Sequence, residues 1–326
     1  MPKVLIAPLT LAKIEGEHLQ TLRDAGFELV FPAQPHQQSE AELLALLPGM
    51  TASVAGMEPY TARVLDACPT LRVIARVGVG YDAVDIPAAT SRGVAVTIAP
   101  GTNQDAVAEH TFGLLLGLTR HLAYKHNSMR AGRWERGILL PLRGTTLGIV
   151  GLGRIGKAVA LRGAAFGMKL IAYEPFPDKA FAAEHKVELL SLEQLLTRSD
   201  FVSLHLPLDE RTRYLINRQS LALMKKTAFL VNTARGALVN EGDLVEALRS
   251  GTIAGAALDV FEKEPPIGSP LLTLENVLLT PHEAGTDRKS LQDMALSAAR
   301  AVVDICAGQW PTEKIVNPAV KDNLRR

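Results

Sequence analysis

Three residues in the last third of the chain have side chains suited to chemistry: Arg235, Glu264 and His282. Arg235 lies in VNTARG, straight after an apolar run that reads as a strand. Glu264 lies in ALDVFEKEPP and His282 in LLTPHEAG. Upstream is a glycine-rich turn, IVGLGRIG. A cation, a carboxylate and an imidazole downstream of a dinucleotide fingerprint suit transfer of a hydride and a proton at a carbonyl or an alcohol. Taken singly, each residue has an ordinary structural alternative, as a capping arginine, a solvated loop glutamate or one histidine among eight.

The turn GLGRIG, Gly151 to Gly156, has the G-x-G-x-x-G spacing between an expected strand and an expected helix. Gly151 permits a tight turn, Gly153 lets backbone approach a pyrophosphate, and Gly156 lets helix and strand pack closely. The helix N-terminus, with Arg154 and Ile155 in its first turn, offers unpaired N–H groups and a partial positive charge to an anion. An ordinary β–α turn has the same look. The next strand, LIAY, ends at Glu174, 174 − 156 = 18 residues past the last glycine. A carboxylate there accepts hydrogen bonds from ribose hydroxyls and repels a 2′-phosphate, which points to NAD rather than NADP.

These residues need a scaffold of alternating strands and helices. Strand-like runs at Val4–Pro8, Phe27–Phe31, Ser53–Ala55, Leu71–Val77 and Val94–Ile98 alternate with helical stretches ending at Ala25 and spanning Ser39–Leu47 and Thr61–Ala67. The rhythm restarts with strand Thr146–Val150, helix Ile155–Phe166 and strand Leu170–Tyr173, then a helix opened by Ser191 with capping-box spacing to Gln194. Strands follow at Phe201–Leu206, Phe229–Thr233, Ala254–Asp259 and Val277–Thr280. This is the βαβ pattern of α/β proteins with doubly wound parallel sheets. A long helix, Gln104–Tyr124, is expected to cross between two such units, and Ser290–Ala307 to return to the first. The expectation is a Rossmann NAD-binding domain, residues 101–286, inserted in a flavodoxin-like substrate-binding domain, residues 1–100 plus 287–326.

The length of 326 residues suffices for two cores, and 47% hydrophobic residues with a net charge of +1 describe a soluble protein. Neither a nucleic-acid surface nor an acidic tail is indicated. The N-terminus MPKVLIAPLT lacks signal-peptide features, and the apolar run Phe112–Leu118 is too short to span a bilayer, so no membrane association and a cytoplasmic location are expected. Cys68 and Cys306 have neither redox nor zinc spacing, and no histidine pair has metal-ligand spacing, so no metal is expected.

With these pieces in place, the chain resembles the D-isomer-specific 2-hydroxyacid dehydrogenases, most closely their 3-phosphoglycerate dehydrogenase branch. The matching runs are ARVGVGYDAVDI, GTNQDAVAEHT, TLGIVGLGRIGKAVA, HLPL, NTARGALVNEGDLVEAL, GAALDVFEKEPP and TPHEAG, from about Leu71 to Gly285. The resemblance implies that His282 is the acid–base, with Glu264 stabilising its imidazolium. It implies that Arg235 binds the substrate carboxylate and polarises the carbonyl oxygen. It makes Arg76, Val77, Gly78 and Val79 a substrate loop whose backbone N–H groups hold the carboxylate, with Val79 also beside the cofactor. Asn103 matches a polar position at the domain junction, and Asp259 a carboxylate near the nicotinamide amide. Leu206, Thr212, Thr233 and Ala234 match positions along the cofactor. Substrate docking in a cleft whose closure excludes water is implied, as is a homodimer formed through the region of Phe112, Leu115, Leu116 and Leu118, unless these are core. His205 is expected to line the cofactor crevice, and His110 and His121 to be structural.

Glu283 stands where an apolar residue is expected. SVAGMEPYT has Glu58 near the place where phosphoglycerate dehydrogenases put an arginine for the phosphate. Arg133 and Arg136, flanking Trp134, and Arg76 are alternative phosphate ligands. The leading substrate is therefore 3-phosphoglycerate (phosphohydroxypyruvate in reverse), with glyoxylate, hydroxypyruvate or another small 2-keto acid as the alternative. The chain ends without room for a regulatory domain, so serine feedback through one is not expected. An NAD-sensing, corepressor-like binding protein shares the fold and triad, but the absence of a long tail or low-complexity segment favours an enzyme. Glu264 argues against a formate-type dehydrogenase.

Overall fold

Short runs of valine, isoleucine, leucine and alanine, separated by capped helices, build two parallel sheets. The computed structural model describes every residue except Lys13, Pro35 and Arg326, and it divides into two units, Met1–Asn103 with Thr286–Arg326, and Gln104–Gly285.

In the first unit the elements are β1 (Lys3–Ile6), α1 (Glu17–Asp24), β2 (Glu28–Val30), α2 (Glu40–Leu46), β3 (Ala52–Ala55), α3 (Ala62–Asp66), β4 (Val73–Arg76), α4 (Ile86–Ser91) and β5 (Ala95–Thr97). The strands pair in parallel in the order β2-β1-β3-β4-β5. Side chains at the helix starts satisfy free backbone donors: Ser39 and Glu42 form a capping box, Thr61 accepts from Val64 N, and Asp85 accepts from Ala88 N. β3 and β4 are buried along their whole length, as strands covered on both faces must be.

The second unit opens with α5 (Gln104–Arg120) and α6 (Leu122–Arg130), then β6 (Thr146–Val150), α7 (Arg154–Ala165), β7 (Lys169–Tyr173), α8 (Lys179–Glu184), β8 (Glu188–Leu189), α9 (Leu192–Arg198) and β9 (Phe201–Leu204). It continues through α10 (Arg218–Leu223), β10 (Phe229–Asn232), α11 (Glu241–Ser250), β11 (Gly255–Leu258) and β12 (Val277–Leu279). Its seven strands are parallel in the order β12-β11-β10-β9-β6-β7-β8. Counting from β6, that is the 3-2-1-4-5-6 order of a dinucleotide-binding sheet with one further strand. The chain then returns to the first unit as α12 (Arg288–Cys306), which lays Met294, Ala295, Ala298, Ala299, Val302 and Ile305 on the core beneath β3 and β4.

One expected element is divided. The helix read as Gln104–Tyr124 stops at Arg120, and His121 takes a left-handed conformation (φ 51°) before α6 begins. The Thr119 hydroxyl donates to Leu115 O at 2.8 Å, a back-bond that bends helices, and histidine is among the residues that tolerate φ > 0. Phe112, Leu115 and Leu118 are buried in the second unit's core with Leu147, Ile149 and Val159, and Leu116 packs against them. No described helix is long and apolar enough to cross a membrane.

Candidate active site

The glycine turn lies at the carboxyl end of β6, where strand order reverses between β6 and β9. Gly151 has φ 99°, and a Cβ there would fall 2.7 Å from the His205 carbonyl carbon. A Cβ on Gly156 would overlap Gly151 O at 2.0 Å, so any side chain at this position breaks the turn. Gly153, the N-cap of α7, faces open space, and no side chain caps the helix. That open cradle over uncapped N–H groups fits a pyrophosphate. Glu174 stands across it, with Oε2 accepting from Leu152 N at 2.8 Å and Oε1 from Phe176 N at 3.0 Å. The turn's own backbone therefore fixes the carboxylate, which keeps lone pairs for ribose hydroxyls.

Beyond the turn, Leu206 is buried and Ala234 packs against the same core. Thr233 shares a buried contact with Thr111, Oγ1 to Oγ1 at 3.2 Å. The Thr212 hydroxyl is engaged within its own loop, donating to Pro207 O at 2.8 Å and accepting from Asp209 N at 2.7 Å. His205 pairs through Nε2 with Ser203 Oγ at 2.8 Å, and burial lowers its pKa to about 3. It stays neutral at physiological pH.

Arg235 follows β10 at the head of a 3-10 turn, Gly236–Leu238. Asn232 shapes that turn from a fully buried position. Its Oδ1 accepts from Ala234 N at 3.0 Å and its Nδ2 donates to Arg235 O at 2.8 Å. The Arg235 Nη1 donates to Ala234 O at 2.6 Å. A Cβ on Gly236 would stand 1.9 Å from the Phe261 carbonyl carbon, so the arginine turn lies directly on the loop that carries Glu264. Glu264 Oε1 accepts from Phe261 N at 3.0 Å, and Oε2 lies 2.6 Å from His282 Nδ1. An ionised carboxylate only accepts, so Nδ1 carries the proton in this pair and Nε2 is the nitrogen left for exchange.

His282 itself has φ 54°, a conformation uncommon for a residue with a Cβ, and Asp259 holds it there. Asp259 O accepts from His282 N at 2.8 Å, its Oδ1 from Glu283 N at 3.1 Å and its Oδ2 from Ala284 N at 2.9 Å. Thr280 Oγ1 donates to Oδ1 at 2.6 Å, and His110 Nε2 lies 3.0 Å from Thr280 Oγ1 and 3.5 Å from Oδ1. Burial pushes the Asp259 pKa up, but the bonds from His110, Thr280, Ala284 and Glu283 outweigh it and bring it down to about 2. Sequence reasoning set Asp259 beside the cofactor; the structure gives its carboxylate to the loop carrying His282. It missed Asn232 and Thr280, and it left His110 as merely structural. An asparagine ending a buried strand and a threonine following a half-buried one were the available signals.

The expected substrate-loop residues and Asn103 belong to the first unit. Val77 N donates to Ala55 O at 2.8 Å and so is engaged in the sheet, which corrects its expected part in carboxylate binding. Gly78 O accepts from Ala99 N at 2.9 Å, and Arg76 Nε donates to Gly80 O at 2.8 Å, closing the Arg76–Gly80 loop on itself. Arg76 is a buried, loop-shaping side chain, and Asn103 is buried at the end of the unit. In the second unit, Arg133 is exposed and ion-paired to Glu135 at 3.1 Å, and the Tyr124 hydroxyl donates to the same glutamate at 2.5 Å.

The family model for the NAD binding domain of D-isomer specific 2-hydroxyacid dehydrogenases matches residues 112–284. The chain belongs to that family. It is 39% identical to a glyoxylate reductase of Thermofilum pendens over 98% of this chain and 96% of that one. It is 43% identical to a D-3-phosphoglycerate dehydrogenase of Methanocaldococcus jannaschii over 79% of this chain, and spans 49% of that protein's length. Its fold superposes on D-lactate dehydrogenase of Aquifex aeolicus, solved with NAD and lactic acid, with a TM-score of 0.83 at 27% identity, covering 96% of this chain and 98% of that one. The protein is thus an oxidoreductase of the NAD-dependent D-2-hydroxyacid dehydrogenase family, acting on CH–OH donors.

Proposed function

We propose that the protein interconverts a small D-2-hydroxy acid and its 2-keto acid, with His282 as the acid–base. The observation that carries this reading is the His282–Glu264 contact at 2.6 Å, which orients the ring and leaves Nε2 to exchange the substrate proton. Bound NAD supplies the hydride acceptor or donor. Glu264 offsets the imidazolium charge as the proton arrives. The Arg235 guanidinium binds the substrate carboxylate and draws charge onto the carbonyl oxygen. The amides of Gly78 and Val79 are further donors to that carboxylate. Gly151, Gly153, Arg154, Ile155 and Gly156 hold the pyrophosphate, and Glu174 the adenosine ribose.

The leading substrate is an unphosphorylated 2-keto acid of the glyoxylate or hydroxypyruvate kind. The chain is 39% identical to the glyoxylate reductase of Thermofilum pendens over 98% of its length. Arg133, expected as a phosphate ligand, is already paired with Glu135. The second reading is phosphohydroxypyruvate, supported by 43% identity to that dehydrogenase. We also propose a homodimer formed through residues 122–140. There Leu122, Tyr124, Met129, Trp134, Ile138 and Leu140 all stand exposed, and apolar side chains grouped in this way are the usual mark of a protein contact. NADH oxidation with glyoxylate, hydroxypyruvate, phosphohydroxypyruvate and longer 2-keto acids tests the assignment. Turnover of a 2-keto acid supports it; inertness toward the whole panel, with NADH still bound, refutes it.

A further inference from the structure

Two glutamates beside the Glu264 loop hold one another's backbone. Glu241 is the first residue of α11, where a helix leaves its N–H groups without partners of its own. Its N–H donates to Glu262 Oε1 at 2.7 Å, and Glu262 N donates in return to Glu241 Oε1 at 2.5 Å. The Tyr214 hydroxyl donates to Glu262 Oε2 at 3.2 Å, while Tyr214, at φ 53°, gives its own N–H to Ala237 O at 2.8 Å. All of these residues lie in the second unit, as do Glu264 and His282.

Two carboxylates brought together repel, so the arrangement is held by its N–H bonds. Burial pushes the Glu241 carboxyl up, the bond from Glu262 N brings it down, and the Glu262 and Glu264 charges push it up again. For Glu262 the positive end of α11 offsets part of the repulsion. The clasp ties α11 to the residue after Phe261, whose side chain is buried in the core and whose N–H donates to Glu264 Oε1 at 3.0 Å. Beyond Phe261 burial no longer holds the loop, since Glu262, Lys263, Glu264 and Pro265 are exposed. Pro265 and Pro266 have no N–H with which to tie its far side. The bond from Glu262 N to Glu241 thus steadies the exposed stretch just before Glu264, whose Oε2 lies 2.6 Å from His282 Nδ1.

We infer that Glu241 is a positioning residue for the reaction: by accepting the Glu262 N–H it fixes the loop that sets the Glu264 carboxylate against His282. This rests on the reading of His282 as the acid–base. Glu241 touches no reacting atom. Its role needs an acceptor at Oε1 and not a charge, so glutamine should perform it and alanine should not.

The test is a mutant cycle in the full chain, read as kcat on the best 2-keto acid beside NADH affinity. Glu241→Ala should lower kcat at least about tenfold, because a small displacement of the ring's partner is enough, and should leave NADH affinity intact. Glu241→Gln should keep nearly all of the parent's kcat. In a Glu264→Ala background, Glu241→Ala should cost little more, since residues that act through one another are not additive. The inference is overturned by an unchanged kcat in Glu241→Ala, by a glutamine variant as impaired as the alanine one, or by NADH affinity falling in step with kcat. A full additional loss in the Glu264→Ala background overturns it too. A Glu264→Ala protein as active as its parent, or a parent inert toward every 2-keto acid, overturns the reading on which it rests. If Glu241→Ala does not fold, Glu241→Asp decides. One methylene shorter, it keeps the charge but withdraws the acceptor, and should lose kcat as alanine does; a parental kcat refutes the role.

Discussion

Replacing Asp259 with asparagine removes one charge and leaves the shape of the side chain almost intact. The structure says what that charge does. Both carboxylate oxygens accept backbone N–H bonds from the loop that carries His282, and Oδ1 also accepts from Thr280. An asparagine must point its NH2 at one of these donors, so at least one bond is lost and two donors face each other. The Asp259 pKa stands at about 2 against an ordinary 3.8, although burial alone would raise it. A depression of that size corresponds to roughly 2–3 kcal/mol of folding stability. The folded pKa is the lower one, so this contribution is complete above about pH 4 and is lost as the pH drops towards 2. For a unit of this size the deficit should lower the melting temperature by roughly 5–10 °C at neutral pH. A His282 loop displaced by even part of an ångström should cost about ten- to a hundredfold in kcat, with NADH affinity nearly kept. Calorimetry at pH 7 and near pH 3, with steady-state kinetics at pH 7, checks both. A variant as stable and as active as the parent at pH 7 would refute the reasoning. A stability gap that fails to narrow near pH 3 would mean that the charge is not its source.

Arg235→Lys should raise KM at least about tenfold, because a lysine ammonium cannot make the planar two-point contact with a carboxylate; an unchanged KM removes that role. Gly156→Ala should abolish NADH binding, since its Cβ would lie 2.0 Å from Gly151 O, and fluorescence titration of NADH measures it; normal affinity would mean that the turn is not the cofactor cradle. Ile138→Asp, at a fully exposed position, should convert a dimer to a monomer in sedimentation, whereas a dimer of unchanged affinity would place the interface elsewhere.

Much of this site was legible because its chemistry is carried by local runs. Period-2 and continuous apolar stretches marked the strands, and the glycine spacing marked the turn after β6. Glu264 and His282 are 18 residues apart in sequence and 2.6 Å apart in space, and only their family spacing linked them. Short helices were harder to see. α4, α8, α10 and α11 each begin after an Asp or Asn that caps the first turn, namely Asp85, Asp178, Asn217 and Asn240. Those signals were present, but helices of six to ten residues carry too little periodicity to stand out. The break at His121 was hidden because the apolar pattern runs through Leu118 and resumes at Leu122. Least legible was the part played by buried polar groups. Sequence alone cannot show that Asp259 faces three amides of a loop more than twenty residues away, or that the Val77 amide belongs to Ala55.

The central claim is that His282, oriented by Glu264, moves the substrate proton. The most direct measurement is kcat of His282→Ala on the best 2-keto acid, with NADH affinity measured on the same sample. The account predicts a loss of roughly two to four orders of magnitude in kcat with NADH binding unaltered. A kcat within a few-fold of the parent, with the cofactor bound normally, would contradict it.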